Sequence, residues 1–471
     1  MILPLAFTLI FFSRVLFLSV SPAFYDSWEY LQAFESPSLW AALKMVHYPI
    51  HPLFISLGWL INRIPLSTTL FKAEFFQGLC SFVSAIVFYK ICLKLSLDIR
   101  KSLLLTLIFS FLPFIWLASI NLVYESLLVL LILLSFLFLK KSFLVSGLFF
   151  LLAFLVSPVA LFYLPLAEAY LFEKQKRNAW QKYLLISVIY LLGGFIVYYL
   201  ITRIRGGNLL ETFKVISSGG LLVKKAFEEG WLFFPRMVRN ALVIYFNYLT
   251  VPLGLFLLIL ALISWQKNIL TYFFWSACFL TVSFSWHLGM YGRLAIFLII
   301  PLLFLLLKVK NKYLFLIWLW LLIFSARLVI PYHFQKTPYV LEKEYFEEAC
   351  KNLNPLLVIS NYEQPYLSQN FEAVVLNIPD EDLKKDQEKI DQALAGNRLV
   401  LFTSQAVTTP YWQYDGMNYH ILSERKNFPQ TKGQVLFRLY QSKVFKEWLE
   451  INLRIYQLIP PQSFPLSFLP F

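Results

Sequence analysis

The stretch Leu122-Val-Tyr-Glu-Ser-Leu-Leu-Val-Leu-Leu-Ile-Leu-Leu-Ser-Phe-Leu-Phe-Leu139 contains a single charged side chain, that of Glu125. A helix needs roughly 20 mostly apolar residues to cross the hydrocarbon core of a bilayer. Comparable apolar runs precede and follow this stretch throughout the first 330 residues. The pattern therefore predicts an all-α polytopic membrane domain over residues 1–330.

The composition agrees with a membrane protein. Of the 471 residues, 59% are hydrophobic and 14% are charged, and the mean hydropathy is +0.65. So few charged side chains could not cover the apolar surface of a soluble protein of this size. The net charge of +14 is compatible with nucleic-acid binding, but Lys and Arg also collect in the cytoplasmic loops of membrane proteins. We therefore expect membrane lipids as partners and no nucleic acid.

The apolar runs predict about eleven spans. They are Ile2–Val20, Leu70–Cys92, Leu103–Ile120, Leu122–Leu139, Phe143–Val156, Ala160–Phe172, Leu184–Ile204, Ala241–Ile263, Ile269–Trp286, Leu294–Leu307 and Tyr313–Ile330. The first run lacks a basic start and a small-residue cleavage site, so it is predicted to be a retained span. With the N-terminus in the cytoplasm, every inside loop carries Lys or Arg. We expect a multi-pass protein of the cell (inner) membrane with its C-terminus outside.

Residues 331–471 have a different pattern. Strand-length apolar runs alternate there with polar, helix-like stretches, in the order Leu341–Asn354, Leu356–Ser360, Ala373–Leu376, Glu381–Ala395 and Leu399–Thr403. Alternating helices and strands indicate a small α/β fold. We therefore predict a small extracytoplasmic α/β domain at the C-terminus.

The first outer loop contains the densest group of polar residues in the chain. It includes Phe24-Tyr-Asp-Ser-Trp-Glu-Tyr30 and His47-Tyr-Pro-Ile-His-Pro-Leu53. If the first segment is helical, Asp26 and Glu29 share one face. A carboxylate at the membrane surface could then remove a proton from an acceptor hydroxyl. The alternative is a solvated loop with ordinary interfacial acids.

Two histidines in this loop raise the question of a metal. His47 and His51 have the i, i+4 spacing of a helical metal pair, but the prolines between and beside them argue against a regular helix. We predict no metal and no other cofactor, and a divalent metal is the alternative. His47 is interpreted as a group that bonds a donor phosphate or orients a carboxylate.

These loop motifs resemble those of the GT-C superfamily of membrane glycosyltransferases. Asp26-Ser-Trp-Glu29 and His47-Tyr-Pro-Ile-His-Pro-Leu53 are similar to a bacterial family related to protein O-mannosyltransferases, whose pattern is Asp-Ser-Gly-Glu followed by His-Pro-Pro-Gly-Tyr-Pro-Leu. The departures are Trp28, Tyr48, Ile50 and His51. Tyr124-Glu-Ser-Leu127 and Met290-Tyr-Gly-Arg293 also look like motifs of these enzymes. The resemblance covers roughly Ile2 to Ile330.

The resemblance implies a GT-C-like fold and an inverting sugar transfer. The donor would be a polyprenyl-phosphate sugar, with mannose as one candidate, and the acceptor would be an extracytoplasmic hydroxyl of a protein or a glycan. Asp26 and Glu29 would be the catalytic residues: Asp26 would be the base, and Glu29 would support it, orient the acceptor or substitute for it. The expected substrate-binding residues are His47, His51, Glu125, His287 and Arg293. A guanidinium can hold two phosphate oxygens, although Arg293 could instead be an interfacial anchor.

Other interpretations remain open at the level of sequence. The chain could be a transporter or flippase of lipid-linked saccharides, or a non-catalytic assembly factor. Arg14, inside the first span, is interpreted as half of a structural ion pair, because a charge there needs a partner. Arg203 and Arg205 belong to a basic outer stretch that could attract phosphate, or that could mean a misplaced span.

Overall fold

A computed structural model gives the structure of a large part of the chain. The described residues are 2–22, 25–46, 50–95, 98–163, 178–216, 230–232, 235, 250–263, 306–307, 309–334, 338–351, 356–360, 372–375, 382–403, 418–429 and 450–459. Three of the predicted site residues, His47, His287 and Arg293, lie outside these ranges. The predicted span Ile269–Trp286 and most of Leu294–Leu307 lie outside them as well.

The described part of the first 334 residues is helical. Its α-helices are α1 (Ile2–Val15), α2 (Tyr25–Glu35), α3 (Leu39–Met45), α4 (Pro52–Asn62), α5 (Thr69–Lys94), α6 (Ile99–Ser110), α7 (Pro113–Ser119), α8 (Glu125–Phe138), α9 (Phe143–Val156), α10 (Asn178–Ile204), α11 (Leu209–Ile216), α12 (Val251–Ile263) and α13 (Asn311–His333). Short 3₁₀ helices cover Pro158–Tyr163 and Gly230–Leu232. Local capping signals explain several helix starts: Asp98 accepts a bond from the backbone of Lys101 at 2.7 Å, and Pro52 opens α4.

Several of these helices are long and apolar enough to cross a membrane. Within the described residues they are α5, most of α10 and α13, and they match the predicted runs Leu70–Cys92, Leu184–Ile204 and Tyr313–Ile330. The helical, membrane-associated character of the chain is therefore confirmed. Helices α1, α8 and α9 are apolar but have only 14 residues each. The number of spans stays a prediction.

The predicted span Leu103–Ile120 is broken. Helices α6 and α7 meet at a bend of 65°, and Pro113 opens α7. Proline has no N–H to continue the ladder of hydrogen bonds, so the break leaves backbone carbonyls of α6 to be satisfied in another way. Ser325 on α13 donates to the carbonyl of Phe111 at 2.7 Å.

Arg14 on α1 also bonds to the backbone at this break. Its guanidinium is fully buried and donates to the carbonyl of Ser110, to Ser13 at 2.8 Å and to Ser81 at 3.3 Å. It also lies 5.6 Å from the ring centroids of both Phe111 and Trp116. A helix C-terminus and aromatic faces carry partial negative charge. Arg14 is thus a helix cap, where the sequence predicted an ion pair.

The chain divides into two compact units. The larger includes Met1–Val20 and Glu29–Gln335, and the smaller includes Ser21–Trp28, Lys336–Lys432 and Val444–Phe471. One change of unit falls between Gln335 and Lys336, and the division predicted after residue 330 stays a prediction.

The smaller unit contains a five-stranded sheet. Its elements are α14 (Pro338–Cys350), β1 (Leu356–Ser360), β2 (Glu372–Val375), α15 (Asp382–Ala395), β3 (Leu399–Thr403), β4 (Asn418–Pro429) and β5 (Glu450–Ile459). The strand order is β2-β1-β3-β5-β4, with β1 parallel to β2 and β3 and the other pairs antiparallel. Strands β1 and β3 have the predicted bounds. Strands β4 and β5 were not predicted.

Candidate functional site

The acidic part of the first outer loop is helical. Asp26 lies in the first turn of α2, and Glu29 follows one turn later. The helix therefore meets the condition under which the two carboxylates share a face. Asp26 is partly exposed, whereas Glu29 is 7% exposed. Of the two acids, Asp26 is the one that a substrate can reach more easily.

His51 lies at the N-terminal boundary of α4 and is deeply buried. Its side chain is 2% exposed, and its Nδ1 is 2.7 Å from the carbonyl oxygen of Val156, the last residue of α9. A carbonyl only accepts hydrogen bonds, so Nδ1 carries the proton of this contact. In the neutral ring, Nε2 is then the nitrogen that accepts hydrogen bonds.

Aromatic rings surround this imidazole. The ring centroid of Tyr124 is 3.9 Å from that of His51, and the centroid of Tyr30 is 6.0 Å away in an edge-to-face arrangement. Phe54 completes the group at 5.0 Å from Tyr30. The rings come from α2, α4 and the residue before α8. Tightly packed aromatic rings restrict the rotation of the imidazole.

Glu125 follows Tyr124 and begins α8. Its carboxylate is 2% exposed and lines a small internal cavity together with Ser81, Ser84 and Ser126. Of the predicted substrate-binding residues, His51 thus contacts the ring of Tyr124, and Glu125 is the next residue in sequence. In this arrangement Glu125 faces the interior of the helix bundle.

One face of α5 is polar and was not predicted from the sequence. Glu74, Gln77, Ser81 and Ser84 are all buried on this apolar helix. Their spacing of three and four residues is the signature of one helical face. This periodicity was visible in the sequence and would have identified Ser81 and Ser84 as interior polar residues.

The side chain of Arg205 contacts the backbone at the end of α3. One of its terminal nitrogens donates to the carbonyl of Lys44 at 2.6 Å and to the carbonyl of Val46. Both carbonyls lie at the C-terminal end of α3, directly before the His47–His51 segment. Arg205 thus caps α3, whereas Arg203 is exposed and, among the described residues, donates to the carbonyl of Gly207 in its own turn at 3.5 Å. A basic side chain at a helix C-terminus satisfies its last carbonyls.

The metal question stays open. Within the described ranges, no group of three or more His, Cys, Asp or Glu side chains could hold a metal ion. His47, one half of the candidate pair, is outside those ranges. The roles predicted for His47, His287 and Arg293 remain predictions.

No protein-family model matches the chain, and no curated protein matches it.

Proposed function

We propose that this protein is a membrane glycosyltransferase of the GT-C kind. It would transfer a sugar from a polyprenyl-phosphate donor to an extracytoplasmic hydroxyl of a protein or glycan, with inversion. The proposal includes a cytoplasmic N-terminus, about eleven spans and an extracytoplasmic α/β domain. The sequence motifs of the first loop and of Tyr124–Leu127 suggest this function.

The observation that carries the proposal is the contact between the rings of His51 and Tyr124, the residue that precedes Glu125. The two motifs that resemble glycosyltransferases lie 73 positions apart in sequence, yet their rings are 3.9 Å apart between centroids. Glu29 and Tyr30 are neighbours on α2, and the ring centroid of Tyr30 is 6.0 Å from that of His51. A fixed imidazole, carboxylates and aromatic rings are the groups that bind and activate sugar hydroxyls.

Each residue has a role in this proposal. Asp26 accepts the proton of the acceptor hydroxyl as that oxygen attacks the anomeric carbon, and the polyprenyl phosphate leaves with its bonding electrons. Glu29 supports Asp26 from the next turn of α2. His51 belongs to the substrate-binding residues, and Arg293 holds the phosphate as it leaves.

The break between α6 and α7 favours one alternative. Discontinuous helices at membrane depth are typical of secondary transporters, where they surround the substrate. The 65° bend therefore supports a transporter or flippase of lipid-linked saccharides as the second candidate. Arg14 and Ser325 already satisfy carbonyls of this break, and their bonds argue for a fixed bend rather than a gate.

The test is a transfer assay with the full chain in membranes. Vesicles containing the protein receive a radiolabelled polyprenyl-phosphate sugar, and the label is followed into protein and glycan fractions. A glycosyltransferase produces a labelled acceptor and free polyprenyl phosphate. Movement of intact labelled lipid between leaflets without any labelled acceptor would replace the enzyme with the flippase.

A further inference from the structure

One buried carboxyl group has no role in the proposed sugar transfer. Glu74, on the second turn of α5, is 0% exposed, and neither of its side-chain oxygens has a hydrogen-bond partner within the part of the chain that the structure describes. Gln77, three residues later on the same face, is also 0% exposed, and both of its side-chain polar atoms lack partners there as well. Buried polar groups in proteins are almost always hydrogen-bonded, so these two side chains need an explanation.

Glu74 lies close to the ends of three other helices. One turn further along α5, a Cβ atom at Gly78 would be 3.9 Å from the side chain of Leu18, which follows α1. Glu74 is close enough to Tyr332, near the end of α13, for its charge to act on the phenol hydroxyl. That hydroxyl donates to Oδ1 of Asn121 at 2.7 Å and so joins α13 to the segment after α7. A charge on Glu74 would therefore act on a contact that holds the bundle together.

Among the described residues, no cationic side chain bonds to Glu74. On α1, the guanidinium of Arg14 bonds to Ser81, which is seven residues and about 10 Å further along α5. Lys72 and His333 are engaged with backbone carbonyls. The other charged or titratable groups on the elements packed against α5 or around Glu74 are Arg63 after α4, Arg100 and Lys101 at the start of α6, Glu125 on α8 and Tyr332 on α13. None of them neutralises an ionised Glu74.

The cost of burial decides which form of Glu74 fits this position. Burying an unpaired charge costs far more free energy than burying a neutral group that is hydrogen-bonded. A proton removes the charge, and the neutral acid gains an O–H that can donate to the side-chain oxygen of Gln77. A water molecule would leave the charge in place. An alkali cation needs several oxygen ligands, whereas a proton needs one acceptor, which Gln77 supplies.

We propose that Glu74 is a proton-binding site, occupied in the folded protein at neutral pH, with the neutral acid donating to Oε1 of Gln77. The carboxyl group of Glu is ionised in an unfolded chain at pH 7, so folding takes up one proton. Because the folded state binds more protons, the stability of the bundle falls as the pH rises above about 4.3, where the unfolded chain ionises. This inference does not depend on the proposed sugar transfer, and its test measures no transfer.

Infrared spectroscopy of the purified full-length protein in detergent tests the proton directly. A protonated carboxyl group has a C=O stretch that a carboxylate lacks. We expect this band in the wild type at pH 7 and a loss of one carboxyl group from it in Glu74→Gln. Glu35→Gln is the control, because Glu35 is exposed on α2, and it should leave the band unchanged. A wild-type spectrum without the band, or equal bands in the wild type and Glu74→Gln, would overturn the inference.

Gln77→Leu tests the acceptor of the proposed hydrogen bond. The acid band should move to higher frequency when the acid loses this partner, and an unshifted band would overturn the assignment to Gln77. The wild-type spectrum and this variant keep the inference testable if Glu74→Gln does not fold.

Thermal unfolding in detergent at several pH values measures the uptake of the proton. Glu74→Gln is neutral at every pH. Relative to this variant, the equilibrium constant for unfolding of the wild type should rise tenfold per pH unit between pH 6 and pH 8. Glu35→Gln should follow the wild type. The same pH dependence in the wild type and Glu74→Gln would overturn the inference, and so would a difference that follows the NaCl concentration instead of the pH, because it would assign the site to a metal cation.

Discussion

The imidazole of His51 lies on the ring of Tyr124, with centroids 3.9 Å apart and planes tilted by 32°. The same imidazole is tied through Nδ1 to the carbonyl of Val156 at 2.7 Å. Nδ1 of His51 therefore has a structural partner at the end of α9. This contact and the ring of Tyr124 together fix the orientation of the imidazole. The two nitrogens can be tested separately.

His51→Asn and His51→Ala distinguish a structural from a chemical role. The asparagine amide can donate to Val156 from roughly the position of Nδ1, but it has nothing in place of Nε2. We expect the free energy of unfolding of His51→Asn to lie within about 1 kcal/mol of the wild-type value. Its rate of sugar transfer should fall by about 100-fold. His51→Ala should lose both. Stability is measured by thermal unfolding in detergent, and full transfer by His51→Asn would reduce His51 to a cap of α9.

Arg14 is predicted to stabilise the bend between α6 and α7. Arg14→Ala removes the cap of the buried Ser110 carbonyl, and we expect it to cost about 2–3 kcal/mol. Arg14→Gln should cost less, because its amide still donates to that carbonyl. Arg63→Ala is the control: Arg63 also donates to backbone carbonyls, those of Ser36 at 2.8 Å and Pro37 at 3.3 Å, and lies 4.5 Å from the ring of Trp59, but it is exposed, so its loss should cost about 1 kcal/mol. Equal losses for Arg14→Ala and Arg63→Ala would contradict the capping role.

Arg205→Ala tests the cap of α3, and Arg203→Ala is its control. Arg205→Ala removes the bonds to Lys44 and Val46, so the end of α3 should open more often. We expect hydrogen exchange of the peptide amides at 39–46 to become about 10-fold faster, which corresponds to 1.4 kcal/mol. Arg203→Ala should leave exchange there unchanged. If both variants instead lower binding to anionic vesicles without any change in exchange, the basic stretch attracts phosphate and does not cap α3.

Cys350 gives a prediction for pH. Burial at the end of α14 raises the pKa of its thiol to about 11. The thiolate is the reactive form, so the folded protein should react slowly with maleimide at pH 8 and about tenfold faster per pH unit until the pKa is reached. In the unfolded chain the pKa is about 8.5, and this contribution to stability is lost between about pH 8.5 and 11. The measurement uses a variant in which Cys80, Cys92 and Cys278 are alanine. Equal rates in the presence and absence of denaturant would contradict it.

The sequence predicted those parts of the fold that depend on local signals. Helix α9 has the predicted bounds because Ser142 caps its start and Ser157-Pro158 ends it. The long apolar helices α5, α10 and α13 follow from hydropathy, which is also local. The segment Leu103–Ile120 was predicted as one straight span, because hydropathy does not show where the axis of a helix changes direction. The structure has a bend before Pro113. Strands β4 and β5 contain many polar residues, and their antiparallel pairing with distant partners decides their conformation.

The site was predictable only in part. The first-loop acids and His51 were identified from their residue types, and the helix that carries Asp26 and Glu29 was stated as a condition. The contact between His51 and Tyr124 joins two elements through tertiary packing, which no periodicity encodes. The same is true of the bond from Arg205 to the end of α3. The buried serines of α5 could have been predicted, since their spacing in the sequence places them on one face of the helix. They were not.

The first-loop acids carry the most direct prediction of the proposed function. Asp26 is partly exposed in the first turn of α2, whereas Glu29 is buried one turn later. Asp26→Asn keeps the size and most hydrogen bonds of the side chain but removes its charge and basicity. General-base assistance contributes about 10²–10⁴-fold, so we expect Asp26→Asn to insert normally, to bind the polyprenyl-phosphate sugar and to lose transfer by at least about 100-fold.

Glu29→Gln is the companion variant on the same helix. It should lose less transfer than Asp26→Asn, because one carboxylate suffices to take the proton and the exposed one is better placed to meet the acceptor. Both are measured as transfer from radiolabelled lipid donor in membranes with matched protein levels. A dead Glu29→Gln beside a nearly normal Asp26→Asn would exchange the two roles. Nearly normal transfer by both variants would remove these acids from the chemistry, and a total absence of transfer in the wild type would put the flippase ahead.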